Sequence, residues 1–167
     1  MTRTQRLLSN LFGHWFQLHR RFPPASLDEI ATAIAAGESS HRGEVRFAIE
    51  SRLTPWQVLE GVEAPTRAQQ VFAQLRVWDT EHNSGVLFYI LMAEHRIEIV
   101  ADRGVAVRVT AAEWEAICAR MRDGYARGLW REGSIEGIAA AHALLREHFP
   151  SDGTDNPDEL PDRPVLL

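Results

Sequence analysis

The sequence predicts an α/β fold, a three-layer α/β/α sandwich around a mixed central sheet in the order β-α-β-β-α-α, preceded by N-terminal helices. Three observations predict it. Glu44-Val45-Arg46-Phe47-Ala48-Ile49-Glu50 alternates with the period of a strand, so Val45, Phe47 and Ile49 share one face. Val86 to Met92 is a continuous apolar run of strand length, as expected of a strand covered on both faces. After Ala93-Glu94-His95 comes the alternating Arg96-Ile97-Glu98-Ile99-Val100, and the two runs read as a hairpin. Between the first strand and this hairpin, Ala68, Val71, Phe72, Leu75 and Trp78 recur at helical spacing. Strand, helix, strand is a βαβ crossover, which sets 44–50 parallel to 86–92.

The remaining elements follow in chain order. Leu7, Leu8, Leu11, Trp15, Leu18 and Phe22 repeat at helical spacing as far as Pro23-Pro24. They predict an amphipathic first helix whose charges, Arg3, Arg6, Arg20 and Arg21, are all basic. Such a helix either makes a peripheral membrane contact through residues 1–22 or packs on its own domain or a partner chain. Ser26-Leu27-Asp28-Glu29 has the spacing of a capping box, opening a short helix that Gly37 closes. Thr54-Pro55 starts a helical turn carrying Trp56, Val58 and Leu59. Val105 to Val109 reads as a short edge strand. Thr110-Ala111-Ala112-Glu113 is a second capping box, for a helix that buries Trp114, Ile117, Cys118 and Met121. A last helix runs from Glu132 to Phe149, with Ile135, Ile138, Ala139, His142, Leu145 and Phe149 on its apolar stripe. The tail holds Asp152, Asp155, Asp158, Glu159 and Asp162 among prolines and reads as disordered or laid along the surface. The chain thus divides into a helical extension at 1–37, an α/β domain at 38–150 and an acidic, proline-rich tail at 151–167.

Composition excludes several classes. A net charge of -5 and a pI near 5.8 leave no broad basic face for nucleic acid. With Cys118 the single cysteine there is no internal disulfide and no multi-cysteine zinc site, which fits a reducing compartment. No stretch has the length and apolarity of a spanning helix, and Ser9, Asn10, His14 and Gln17 interrupt the apolar part of the N-terminus, unlike a signal peptide. The expectation is a cytoplasmic protein, peripheral to the inner face of the membrane if the first helix binds there. There is no GxGxxG, Walker sequence, HExxH or nucleophile elbow, and no organic cofactor is expected.

The candidate site lies where the hairpin begins and ends. Its register brings the loop Asp79 to Ser84 beside Ala101 to Gly104, and the crossover puts His41 and Glu44 near the same sheet edge. Asp79, Glu81 and Asn83 alternate, and Asp102 joins them, an oxygen-rich set of the kind that Ca²⁺ or Mg²⁺ takes. Arg103 beside Gly104 suits a phosphate oxygen as an anion-binding residue. The alternative gives the same residues to loop structure: Asp79 capping the preceding turn, Asp102 capping the bend, and Arg103 paired with Asp102 or Glu98. His142 and His148 are six apart, on different helix faces, which argues against a shared metal.

At these residues the chain resembles the TPM-domain family, in its soluble bacterial branch. The matching features are VWDTEHNSGVLFYILMAEHR, the following IEIVADRG, and the closing helices ending in HALLREHFP. The resemblance covers Glu44 to Pro150 and is strongest over 76–105. It implies an α/β/α sandwich with a mixed sheet. It also implies one of two activities, divalent-cation binding or acid phosphatase chemistry, with Asp79, Asn83 and Asp102 carried over as cation ligands. Many relatives have a glycine-rich turn with acidic residues where this chain reads Val100-Ala101-Asp102-Arg103-Gly104. The tail NPDELPDRPVLL resembles members encoded beside LemA-type proteins, which implies a LemA-type membrane partner. Two functions follow as expectations. The first is a non-catalytic, cation-binding interaction or accessory module in membrane-protein maintenance. The second is a metal-dependent acid phosphatase, with Asp79, Glu81 and Asp102 on the ion, Arg103 on the phosphate and His82 as acid.

Overall fold

A computed structural model describes residues 2–11, 15–151 and 159–167. Four strands form one mixed sheet: β1 (Glu44–Glu50), β2 (Gly85–Leu91), β3 (Arg96–Ala101) and β4 (Val165–Leu166), in the order β3-β2-β1-β4. β1 is parallel to β2 and to β4, and β2 is antiparallel to β3. The helices are α1 (Arg3–Leu11), α2 (Trp15–Arg21), α3 (Pro24–Glu38), α4 (Pro55–Leu59), α5 (Ala64–Gln74), α6 (Arg103–Ala106), α7 (Ala111–Ala126) and α8 (Trp130–His148).

Two cores make three layers. Val45, Phe47, Ile49, Val86, Phe88 and Ile90 face α3, α7 and α8, meeting Ile34, Met121 and Leu145 among others. Ala48, Leu87, Tyr89 and Leu91 face the other way, onto Val58 of α4 and Ala68 and Val71 of α5. Each large apolar side chain taken fully from water contributes roughly 1.5–3 kcal/mol, so the doubly covered β2 anchors the fold.

β1 alternates in sequence, yet all seven of its residues are buried. The polar positions form a satisfied layer under the second core. Glu50 accepts from Arg67 Nε at 2.8 Å and from the Tyr89 hydroxyl at 2.5 Å. Arg46 donates to the Pro161 carbonyl, and to that of Arg163 at 2.6 Å. Glu44 accepts from the amides of Glu159 and Leu160, each at 3.3 Å. The end of the tail is therefore a strap that supplies β4 and buries Leu160. Asp152, Asp155 and Asp158 lie outside the described residues.

Several local expectations are corrected. Ser26 does not cap α3, which starts earlier, with Pro24 in its first turn after Pro23. Gly37 lies inside that helix, which runs on to Glu38, and the His142 ring occupies the space a Cβ at 37 would need, 2.1 Å from it. The helix reaching Trp78 stops at Gln74. Val77 N–H donates to Phe72 O, Arg76 N–H donates to Ala73 O, and Arg76 adopts φ 54°, a left-handed C-terminal stop without glycine. Val77 is buried by that reversal and Trp78 is half exposed. The edge strand at Val105–Val109 is instead α6 and a turn, with Asp102 at its N-cap. On α8, Ala141 is buried and Ala139 is exposed, and the helix begins two residues early, at Trp130.

The first helix is two, and residues 12–14 of its stripe, with the side chains of Trp15 and Phe16, lie outside the described residues. Leu18 and Phe22 enter the main core, but α1 turns its polar side inward. Arg6 Nε donates to Glu94 Oε1 at 3.0 Å, Asn10 Nδ2 donates to the same oxygen at 3.0 Å, and Leu53 N–H donates to Asn10 Oδ1 at 2.7 Å. Leu8 and Leu11 remain half exposed. Among the described residues no helix is long and apolar enough to cross a membrane.

Candidate functional site

The sheet register assembles the edge as the sequence predicts. Glu44 pairs with Gly85, Val86 pairs with Ala101, and Asp102 N–H donates to Gly85 O at 2.8 Å. The two loops touch directly: Gly104 N–H donates to Asn83 O at 3.1 Å. A Cβ at Gly104 would lie 2.5 Å from that oxygen, so the position admits no side chain without moving the loop. Asn83 takes φ 50°, a conformation asparagine tolerates better than most residues. Ser84 Oγ donates to Arg42 O at 2.8 Å, which brings the segment before β1 into the same edge.

The candidate residues divide. Asp102 is buried; its Oδ1 accepts from Arg103 N–H at 2.7 Å, while Oδ2 is buried with no hydrogen-bond partner among the described residues. Asp79 and Glu81 are exposed, and their carboxylates make no hydrogen bond or ion pair among the described residues. Asn83 Oδ1 is engaged by Arg103, whose Nε and Nη2 donate to it at 3.2 and 3.1 Å. Arg103 therefore pairs with neither Asp102 nor Glu98, and Glu98 pairs with Arg96 at 2.7 Å. Asp79 makes no cap; its N–H donates to Arg76 O at 2.9 Å. Among the described residues no three His, Cys, Asp or Glu side chains are gathered closely enough to share an ion. Of the candidate oxygens, Asp102 Oδ2 is the buried one, and Asp79 and Glu81 stand exposed on the adjoining loop.

Two features of this edge escape sequence reading. Beside His82 lies a cavity of about 290 Å³ lined by Arg42, His82, Arg108 and His148, with Phe149 and Pro150. Arg108 Nη1 donates to His148 O at 2.6 Å and its guanidinium stands 4.6 Å from the Phe149 ring centroid. Behind the edge, His41 and His142 are buried against each other. Their separation of 101 residues leaves no local signal; only the position of His142 on an apolar stripe hints that it is buried. Cys118 is a core residue, and burial pushes its thiol up to about 12.

A mixed sheet covered by helices on both faces, with two loops and a segment before β1 meeting at one end of its central strands, defines a small α/β/α domain with an edge site. The chain belongs to the TPM domain family, whose model matches residues 20–144. That span includes α3, in keeping with its place in the main core. Among solved structures, the chain is similar to the NMR structure of BA42 protein from the psychrophilic bacterium Bizionia argentinensis. The TM-score is 0.75 and the identity 25%, covering 86% of this chain and 93% of that one. A comparison with curated proteins finds no match.

Proposed function

We propose that the protein is a non-catalytic interaction module that binds a divalent cation, Ca²⁺ or Mg²⁺, at the Asp102 edge. One observation carries this reading: Asp102 is buried with its Oδ2 lacking a partner among the described residues. A buried carboxylate oxygen left unpaired costs more than most polar groups, and a hard cation offsets that cost. Asp102 would hold the ion, with Asp79 and Glu81 closing over it from the loop. Asn83 would join only by giving up Arg103. The interaction half of the reading is supported by α1 and α4, which pack together and expose Leu8 50%, Leu11 48%, Trp56 68% and Leu59 45%. A membrane protein of the LemA type is the partner assigned to that surface. Calorimetric titration with calcium or magnesium chloride should give one saturable site in the parent protein and none in Asp102→Asn of unchanged melting temperature. Equal binding by the two proteins would refute the assignment.

A second reading, a metal-dependent acid phosphatase, is favoured by the cationic cavity next to His82. Arg42 and Arg108 suit phosphate oxygens, His82 on the same lining would give a proton to the leaving oxygen, and a bound cation would supply Lewis-acid chemistry. Arg103 would have to leave Asn83 to take part. Hydrolysis of p-nitrophenyl phosphate that is lost in both His82→Ala and Arg42→Ala would place this reading first.

A further inference from the structure

Arg21 ends α2 with its guanidinium over the indole of Trp130, 4.3 Å from the ring centroid. Its Nη1 is buried and has no hydrogen-bond partner among the described residues. Burial, and then the neighbouring charge of Arg20, push the Arg21 pKa down, so its charge is partly desolvated with no counter-charge among the described residues. Arg131 nearby is neutralised by Glu29 at 3.1 Å and Glu132 at 2.6 Å. Arg20 and Arg21 are in no ion pair with a carboxylate among the described residues. The chain has 23 acidic residues against 18 Lys and Arg, so this excess of positive charge is local.

Arg21 and Trp130 stand between two cavities. One, of about 640 Å³, is lined by Arg20, Arg21, Ser26 and Arg131. The other, of about 450 Å³, shares Arg21 and Trp130 with it and lies over Ile90, Met92, Ile97 and Tyr125, all nearly or fully buried side chains that form an apolar floor. Its other rim arginines, Arg96 and Arg122, are held by Glu98 and Glu115. An inorganic anion would use only the polar half of this arrangement, and a neutral apolar ligand would leave Arg21 Nη1 unpaired. A ligand with both parts satisfies both. We propose that this double cavity binds an amphiphilic organic anion, its carboxylate or phosphate head on Arg20 and Arg21 and its acyl or aryl tail over Met92 and Ile97. The site adjoins the end of β2 at Ile90 and Leu91, whereas the Asp102 edge adjoins the start of that strand at Gly85. It therefore does not depend on the cation reading.

The test is calorimetric titration of the full chain with dodecanoate, with dodecyl phosphate and with inorganic phosphate, the chains kept below their micelle concentrations. One saturable site is expected for at least one of the two chains, and the chain that binds identifies the head group. Inorganic phosphate should bind roughly a hundredfold more weakly, for want of the tail. Arg21→Gln should weaken the chain about tenfold, the loss of one charge-assisted hydrogen bond. Arg20→Gln, at an exposed position, gives the same direction of effect without risk to the fold. No saturable binding of either chain, binding unchanged in both variants, or inorganic phosphate binding as well as the chains would each overturn the proposal.

Discussion

His41 Nε2 lies 2.7 Å from His142 Nδ1, with the rings stacked 4.9 Å apart between centroids and almost no surface exposed to water. Gly43 N–H donates to His41 Nδ1 at 3.1 Å, which fixes the proton of His41 on Nε2. That proton is donated to His142 Nδ1, leaving the proton of His142 on Nε2, which is buried with no hydrogen-bond partner among the described residues. The pair ties the segment before β1 to α8 in its neutral form. Burial pushes both rings down to about 4, with His142 acting on His41 and Arg146 on both.

A pH dependence of stability follows, with two opposing limbs. The histidines are depressed from 6.5 to about 4, so their contribution is present above 6.5 and lost as pH falls towards 4. Glu38 is raised from 4.5 to about 9, chiefly by burial, with Glu44 and Asp162 adding to it. Its contribution is present below 4.5 and lost as pH rises towards 9. Two groups outweigh one between 4.5 and 6.5, so the melting temperature should climb to a maximum near pH 6.5 and fall beyond it. Glu38→Gln keeps the hydrogen bonds of the protonated acid and should flatten the alkaline limb while steepening the rise between pH 4.5 and 6.5. Melting curves from pH 4 to 9 check both limbs.

Gly37→Ala should destabilise, against the ordinary helix preference of about 1 kcal/mol for alanine over glycine. The added methyl would meet the His142 ring 2.1 Å away, and overpacking of this kind costs about 1–3 kcal/mol. Urea unfolding measures the sign directly.

Arg6 reaches Glu94 at 2.9 Å with both side chains largely buried, and it also pairs with Glu63 at 2.6 Å. Because Arg6 keeps Glu63, Glu94→Ala should cost about 1–3 kcal/mol and loosen α1 first, since Asn10 hangs on the same carboxylate. Amide hydrogen exchange should show residues 3–11 losing protection before the sheet does.

The sheet was legible because its strands carry dense local signals. Val86 to Met92 is apolar without a break, and the alternation of Arg96 to Val100 sets which face meets the core. The parallel partner and the meeting of the 79–84 loop with residues 101–104 followed from topology alone. What escaped reading depends mostly on contacts between distant residues. The strap joins residue 46 to 161 and 163, the histidine pair joins 41 to 142, and the stop after Gln74 uses arginine where glycine is usual. On α1 the hydrophobic pattern pointed to the wrong face, because Arg6 and Asn10 find buried partners that periodicity does not register. Of the site residues, only Asp102 presents a carboxylate oxygen both buried and free; the separation of its role from that of Asn83 rests on the position of Arg103.

The most direct test of cation binding is a calcium and magnesium titration followed by amide NMR shifts across the whole chain. The account predicts saturating shifts at micromolar ion, confined to residues 79–84 and 101–104 and abolished in Asp102→Asn. Shifts absent at millimolar ion, or centred on any other part of the chain, would contradict it.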